Sequence, residues 1–234
     1  MTTWVRLVTG CRRVAQSINY QIDVLAQTRK RGVLKPEKRS CSNTVQADEM
    51  TCPAPAAEAV LAAGGRRQGG AYSRNNTCVA IACEERAVGC SVFRVLGRGK
   101  PSGERAKAAY CPHIAGGSTL VHDKENAHNA VVRELGLASE AHDSRVIKRL
   151  PDDENPLWKV NRLCLLLRLF LDGHSGFDRS NLGGWLDLFS VMMNPPEDRL
   201  EKAALVLDRA MASPKTLRYR DYYRKKPSKK ASSS

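Results

Sequence analysis

The chain has 234 residues, of which 42% are hydrophobic and 26% charged. This composition is typical of a soluble globular protein with one main domain, and it excludes a fibrous or low-complexity chain. The 38 Lys and Arg residues against 24 Asp and Glu give a net charge of +14, which predicts a polyanionic partner.

The excess positive charge lies at the two ends of the chain. Residues 1–46 hold nine Lys or Arg against two acids, and residues 214–234 hold eight against one, so the residues between them are neutral. We therefore predict a basic arm at 1–43, or the remnant of a small helical DNA-binding unit, and a basic, largely disordered tail at 213–234.

Several classes of protein are excluded by what the sequence lacks. The most apolar run, Leu163 to Leu171, is short and is interrupted by Arg168, so no membrane span is expected. The first residues lack the pattern of a secretion signal, which favours a bacterial-type cytoplasmic setting with reduced thiols. The eight cysteines form no Cys-x-x-Cys pair, and their closest approach to ligand spacing is Cys111-Pro-His113, so no zinc is expected.

The predicted elements begin with a strand at 44–50 (TVQADEM), which precedes a Gly/Ala-rich connection. Two β-type segments at 77–83 and 90–97 are typical of a hairpin. After them the patterns predict, in order, a helix at 103–110, a strand at 118–123 (STLVHD), a helix at 125–135, a strand at 144–150 (SRVIKRL), and helices at 157–172, 178–193 and 196–212.

This order of elements predicts an α/β fold of the ribonuclease-H-like type over residues 44–212. Three antiparallel strands followed by α/β crossovers would form a mixed sheet with helices on both faces, and extra helices would follow at the carboxyl end.

Two acidic residues stand at strand ends that such a sheet would bring together. Asp48 lies near the end of the first strand and Asp123 at the end of the fourth, and these strands are neighbours in the predicted sheet. Two carboxylates at one edge could bind Mg²⁺, a hard cation that prefers oxygen ligands. On the helix at 157–172, Asn161 is the candidate third ligand, and Arg168 lies two turns further on the same face.

Structural explanations for the same residues remain open. An Asp at a strand end commonly forms a turn, and Asp123 could cap the helix that follows it. The five histidines are scattered through the sequence, and surface or capping positions are expected for all of them. His122, because it adjoins Asp123, is the one histidine that merits a test.

Three stretches of the sequence resemble a known family. They are GRGKPS, PHIAGGSTLVHDKENAHNAVVRELGL and NPLWKVNRLCLLLRLFLDGHSGFDRSNLGGWLDLFSVMMNPP. Together they resemble insertion-sequence transposases with a DDE-type domain, of the ISXO-two-like group. The resemblance covers roughly residues 77–226 and, more loosely, 44–50, where VQADE is similar to the family's first-Asp strand.

The resemblance implies a ribonuclease-H-like domain that cleaves and joins DNA at transposon ends with Mg²⁺ or Mn²⁺. Asp48 and Asp123 would be catalytic metal ligands, with Asn161 as third ligand in place of the more usual Glu. Arg168 stands where the family usually has Lys and would contact DNA phosphate. The family's zinc ribbon has no counterpart here, so the chain is expected to be truncated at its amino end.

The basic ends are expected to hold DNA, and the bound protein would then associate with the nucleoid. The candidate phosphate contacts are Arg29, Lys30, Arg31, Arg218, Arg220, Arg224, Lys225 and Lys226. A homodimer on paired ends is the expectation from the family. The competing hypothesis is a noncatalytic DNA-binding relic of a transposase, without strand cleavage.

Overall fold

The computed structural model describes residues 40–54, 70, 72–86, 89–173 and 179–211. Its sheet contains β1 (Thr44–Pro53), β2 (Asn76–Glu84), β3 (Ser91–Arg98), β4 (Thr119–Asp123) and β5 (Ala138–His142). The strand order is β3-β2-β1-β4-β5. Strands β1, β2 and β3 pair antiparallel, whereas β4 is parallel to β1 and β5 is parallel to β4. The predicted α/β fold class and mixed sheet are confirmed, and the topology is consistent with a ribonuclease-H-like fold.

The helices that connect and follow the strands lie close to their predicted positions, except for α3, which forms where a strand was predicted. They are α1 (Gly103–Tyr110), α2 (Asn126–Leu135), α3 (Ser144–Ile147), α4 (Trp158–Gly173), α5 (Leu182–Met193) and α6 (Arg199–Met211), with short 3₁₀ turns at Cys111–His113 and Arg179–Asn181. Among the described residues, no helix combines the length and apolar character needed to cross a membrane.

The fifth strand was predicted at the wrong place. The segment 144–150 begins instead with the short helix α3, whose first turn is capped by Asp143, since its Oδ1 accepts a hydrogen bond of 2.9 Å from the Arg145 N–H. The strand is β5, whose sequence ASEAH lacks an apolar pattern because it is a mostly exposed edge strand. Ile147 belongs to the short helix α3, and its side chain is buried in the core. This buried apolar residue explains why the sequence of the segment resembles that of a buried strand.

The two faces of the sheet bury two separate hydrophobic cores. Strand alternation sends Val45 and Ala47 of β1 to the face covered by α1 and α2, and Met50 to the face covered by α4 and α5. On the first face α1 and α2 pack closely, because Gly103 has no side chain: a Cβ there would lie 2.9 Å from the Ala130 Cβ.

Buried amides fasten the helices of the second face to the sheet. The Gln46 side-chain oxygen on β1 accepts hydrogen bonds of 3.1 Å from the Lys159 and Val160 N–H groups, which start α4. Asn194, at the end of α5, accepts a hydrogen bond of 2.8 Å from the Ser91 N–H and donates one of 2.8 Å to the Ser91 carbonyl. These bonds fix α4 and α5 relative to β1 and β3.

Candidate metal centre

The middle of β1 carries two consecutive acids whose side chains project to opposite faces. Because side chains alternate along a strand, Asp48 shares its face with Gln46 and Met50, on the side of α4. Glu49 projects to the other side, where Tyr110 of α1 and His128 of α2 contact its carboxylate. The two acids can therefore approach one point from both sides of the strand.

Asp123 ends β4 beside these acids. The parallel register pairs Ala47 with His122, so Asp48 and Asp123 occupy the next level of the two neighbouring strands. One carboxylate oxygen from each of Asp48, Glu49 and Asp123 lies within 4.8 Å of the others. The structure thus brings together the two predicted aspartates and adds a third carboxylate.

The environment of Asp48 disfavours its negative charge. Burial, together with the neighbouring carboxylates of Glu49 and Asp123, raises the pKa of Asp48 to about 7. The Glu49 N–H donates a hydrogen bond of 2.8 Å to the Asp48 Oδ1, which lowers the pKa but does not offset burial. A partly buried carboxyl crowded by like charges is the group that a nearby cation would stabilise most.

His128 is the cation that the described residues themselves supply to this cluster. Its Nε2 lies 2.9 Å from the Glu49 Oε1, and its Nδ1 lies 3.5 Å from the Asp123 Oδ1. These are ion-pair distances, although the ring N–H groups are not aligned well enough for hydrogen bonds. Burial lowers the pKa of His128, but the two acids outweigh burial and raise it to about 10, so the ring is an imidazolium at neutral pH.

Asp123 interacts with His128 and with the chain that follows it. The imidazolium of His128 lowers the pKa of Asp123, and burial opposes this effect only in part. Its Oδ1 also accepts a hydrogen bond of 3.2 Å from the Glu125 N–H. Asp123 is not the N-cap residue of α2, because Glu125 occupies that position, without a capping side-chain hydrogen bond. Asp123 therefore shapes the turn before α2, as the structural alternative expected, and also belongs to the cluster.

Two further side chains close the side of the cluster that faces α1 and α2. Tyr110 is fully buried, and its hydroxyl donates a hydrogen bond of 3.0 Å to the Asp48 carbonyl. The His122 ring packs against the His128 ring at a centroid distance of 5.0 Å, and its Nε2 lies 3.0 Å from the Ser139 Oγ. Burial and the charge of His128 lower the pKa of His122, so His122 is neutral at pH 7.

Asn161 and Arg168 lie on the exposed side of α4, bordering Cys164. Burial raises the pKa of the Cys164 thiol, and the nearby charge of Asp48 raises it further whereas Arg168 lowers it, so Cys164 lies near both groups. Asn161 is one turn before Cys164, and Arg168 is one turn after it. Within the described part of the chain, the Asn161 side chain makes no hydrogen bond, and its role as third ligand stays a prediction.

A cavity of about 150 Å³ lies beyond the end of the cluster. It is lined by Met50, Thr51, Cys52 and Pro53 of β1, by Arg168, Leu171 and Asp172 of α4, and by Arg179. Two arginines thus line a space beside the last residues of the strand that carries Asp48. A phosphate group could be bound there by charge-assisted hydrogen bonds.

Sequence reasoning missed Glu49, His128 and Tyr110. His128 and His122 were expected at the surface or at helix ends, and this is wrong, since both rings are buried. The available signal was the position of His128 in the first turn and a half of the helix that follows Asp123. The eight predicted DNA contacts in the basic arms lie outside the described residues.

The oxygen donors of the cluster suit a hard divalent cation. Oxygens bound to one Mg²⁺ lie at most about 4.2 Å apart, since each bond is about 2.1 Å long. One carboxylate oxygen from each of Asp48, Glu49 and Asp123 lies within 4.8 Å of the others, which is close to that limit, so the three carboxylates could share one cation. The raised pKa of Asp48 supports this fit, because a bound cation would relieve the crowding of negative charge.

Comparison with known proteins adds no assignment. No model of a known protein family matches the chain, and a search of curated proteins finds no relative.

Proposed function

We propose that this protein is a transposase of the DDE type, which cleaves DNA at element ends and joins the ends to target DNA with a divalent metal ion. The observation that carries the proposal is the convergence of Asp48, Glu49 and Asp123 within 4.8 Å, where the end of β4 lies beside the middle of the neighbouring strand β1. The ribonuclease-H-like topology and the resemblance of roughly residues 77–226 to the ISXO-two-like group support it.

The reaction consists of two phosphoryl transfers without a covalent enzyme intermediate. In the first, the oxygen of water forms a bond to phosphorus and the bond to the 3′ oxygen breaks, which leaves a 3′-hydroxyl and a 5′-phosphate. In the second, that 3′-hydroxyl attacks a phosphate of the target strand and displaces its 3′ oxygen. Bound Mg²⁺ or Mn²⁺ supplies the Lewis acidity for both transfers.

The residues of the chain divide this work between binding and orientation. Asp48 and Asp123 would hold the metal, with Glu49 nearby and with Asn161 as the third ligand that the family resemblance implies. Arg168 lines the cavity next to β1 with Arg179, where their guanidinium groups would orient a DNA phosphate. Tyr110 holds the β1 backbone at Asp48 through its hydrogen bond to the Asp48 carbonyl.

Metal-dependent nicking tests this proposal. We expect the full chain to nick supercoiled plasmid, and duplexes that carry the DNA flanking its gene, with Mg²⁺ or Mn²⁺ but not with EDTA. Asp48→Asn and Asp123→Asn should each lower the rate about 10³-fold, since loss of a metal ligand removes several kcal/mol of charge stabilisation. Asp153→Asn is the matched control, because Asp153 is exposed on a turn, and it should nick like the wild type.

A second function is favoured by one specific contact. His128 already pairs with Glu49 and Asp123, so the cluster is partly neutralised without a metal ion. In a noncatalytic DNA-binding relic this pairing would be purely structural. Wild-type protein that binds DNA with strong salt dependence, yet nicks no DNA with either metal, would establish the relic and reject the transposase.

A further inference from the structure

The outer face of α4 carries large apolar side chains that the described residues leave exposed. Trp158, Leu165 and Leu169 are 43%, 51% and 59% exposed. The opposite face of the same helix is packed into the core through Val160, Leu163, Leu167 and Leu171. Single exposed leucines are common, but three large apolar residues in one line on one helix mark an interaction surface.

Charged residues complete a regular line on this face. Trp158, Arg162, Leu165, Leu169 and Asp172 follow one another at intervals of four, three, four and three residues, and we name this set the α4 stripe. Alternating steps of three and four are the spacing of a seam along which two helices pack. Arg162 and Asp172 are both exposed, and within the described ranges neither makes an ion pair.

The α4 stripe is complementary to itself in one orientation only. In an antiparallel pair centred between Leu165 and Leu169, Leu165 of one helix lies opposite Leu169 of the other, and Arg162 lies opposite Asp172. A two-fold axis repeats both contacts. In a parallel pair, Arg162 would face Arg162 and Asp172 would face Asp172, which opposes association.

We propose that the α4 stripe is the interface of a homodimer in which α4 of one copy packs antiparallel against α4 of a second copy. Nucleic acid fits this surface poorly, because its single cation is balanced by an anion and its leucines cannot neutralise phosphate. The proposal is independent of the transposase function, since it requires neither DNA nor a metal ion.

The size of the surface sets the strength of the dimer. A helix of 16 residues is about 24 Å long. One helix pair buries less than the roughly 800 Å² per partner of a standard stable interface, which is the size range of weak, transient contacts. The dimer should therefore form reversibly with concentration.

Sedimentation velocity of the full chain, without DNA or divalent metal, tests the interface. We expect a shift from monomer to dimer between about 1 and 200 µM. Arg162→Asp and Asp172→Arg should each weaken the dimer about tenfold or more, because each places like charges opposite each other twice. An equimolar mixture of the two variants should form a heterodimer at wild-type strength, and the double variant should dimerise again.

Two further variants separate the interface from general effects. Leu165→Asp should abolish the dimer without lowering the melting temperature, since Leu165 is exposed in the monomer. Val146→Asp changes a residue that is 60% exposed on a different helix and should dimerise like the wild type. The proposal is overturned if the wild type stays monomeric at every concentration, or if the mixture of charge variants fails to associate. It is also overturned if Leu165→Asp lowers the melting temperature of a monomer. That result would show that another part of the same chain covers the α4 stripe.

Discussion

At the scale of single residues, the cluster shows which parts of a site a sequence can predict. Asp48 and Asp123 were predictable because they lie on strands that the element order places side by side, although β1 continues to Pro53 and Asp48 lies in its middle. His128 was not, because its position depends on how α2 rotates when Ala127 and Val131 pack against the sheet. The alternation of side chains along β1 predicts that Glu49 and Asp48 project to opposite faces of the sheet. It does not predict that the imidazolium of His128 lies beside the Glu49 carboxylate.

The pair of Glu49 and His128 gives a prediction about stability. The Glu49 side chain is 4% exposed and His128 is fully buried, so removing one partner leaves an uncompensated buried charge. We expect His128→Leu to lower the free energy of unfolding by about 3–5 kcal/mol in metal-free buffer.

The matching double variant separates the ion pair from packing. Glu49→Gln combined with His128→Leu should cost less than the sum of the two single changes, because neither partner of this pair is then left as an uncompensated charge. Urea denaturation of all four proteins measures this coupling. Additive effects would mean that the ion pair contributes nothing to the fold.

At the scale of secondary-structure elements, prediction succeeded where burial imposed a pattern. The buried strands and the amphipathic helices were found within a few residues of their observed ends. β5 was missed because an exposed edge strand such as ASEAH is held by backbone hydrogen bonds to β4 and needs no apolar residues. The hydrogen bonds by which Gln46 and Asn194 hold the helices to the sheet could not be predicted either, because their partners are distant in the sequence.

The contact between α5 and β3 can be tested at Asn194. Its buried amide makes two hydrogen bonds to the backbone of Ser91, and both groups of Ser91 would remain buried without a partner after truncation. We expect Asn194→Ala to lower the free energy of unfolding by about 2–4 kcal/mol. Asn129→Ala, on the exposed side of α2, should change it by less than about 0.5 kcal/mol in the same thermal or urea denaturation. Equal effects of the two variants would refute the proposed anchor.

At the scale of the whole molecule, the charge and the candidate chemistry are separated along the chain. The carboxylate cluster lies in the neutral part, whereas the net charge of +14 comes from the two ends. Under the proposed function, the ends would supply sequence-independent affinity for DNA, and the cluster would carry out the reaction that follows binding. The two properties should therefore respond to different changes.

Deleting residues 214–234 tests this separation. The deletion removes eight Lys and Arg with one Asp. On duplex DNA each neutralised phosphate contributes about −0.9 to the slope of log K against log salt, so the slope should become shallower by up to about 7. Fluorescence anisotropy with a labelled duplex at several salt concentrations measures it. A variant of the whole chain with Gln at the eight basic positions should behave like the deletion, because the loss is one of charge and not of length. We expect Mg²⁺ to raise the melting temperatures of the wild type and of both variants equally, since the cluster is unchanged in all three. An unchanged slope in both variants would show that the tail does not contact phosphate, and the polyanion affinity would then belong to residues 1–46.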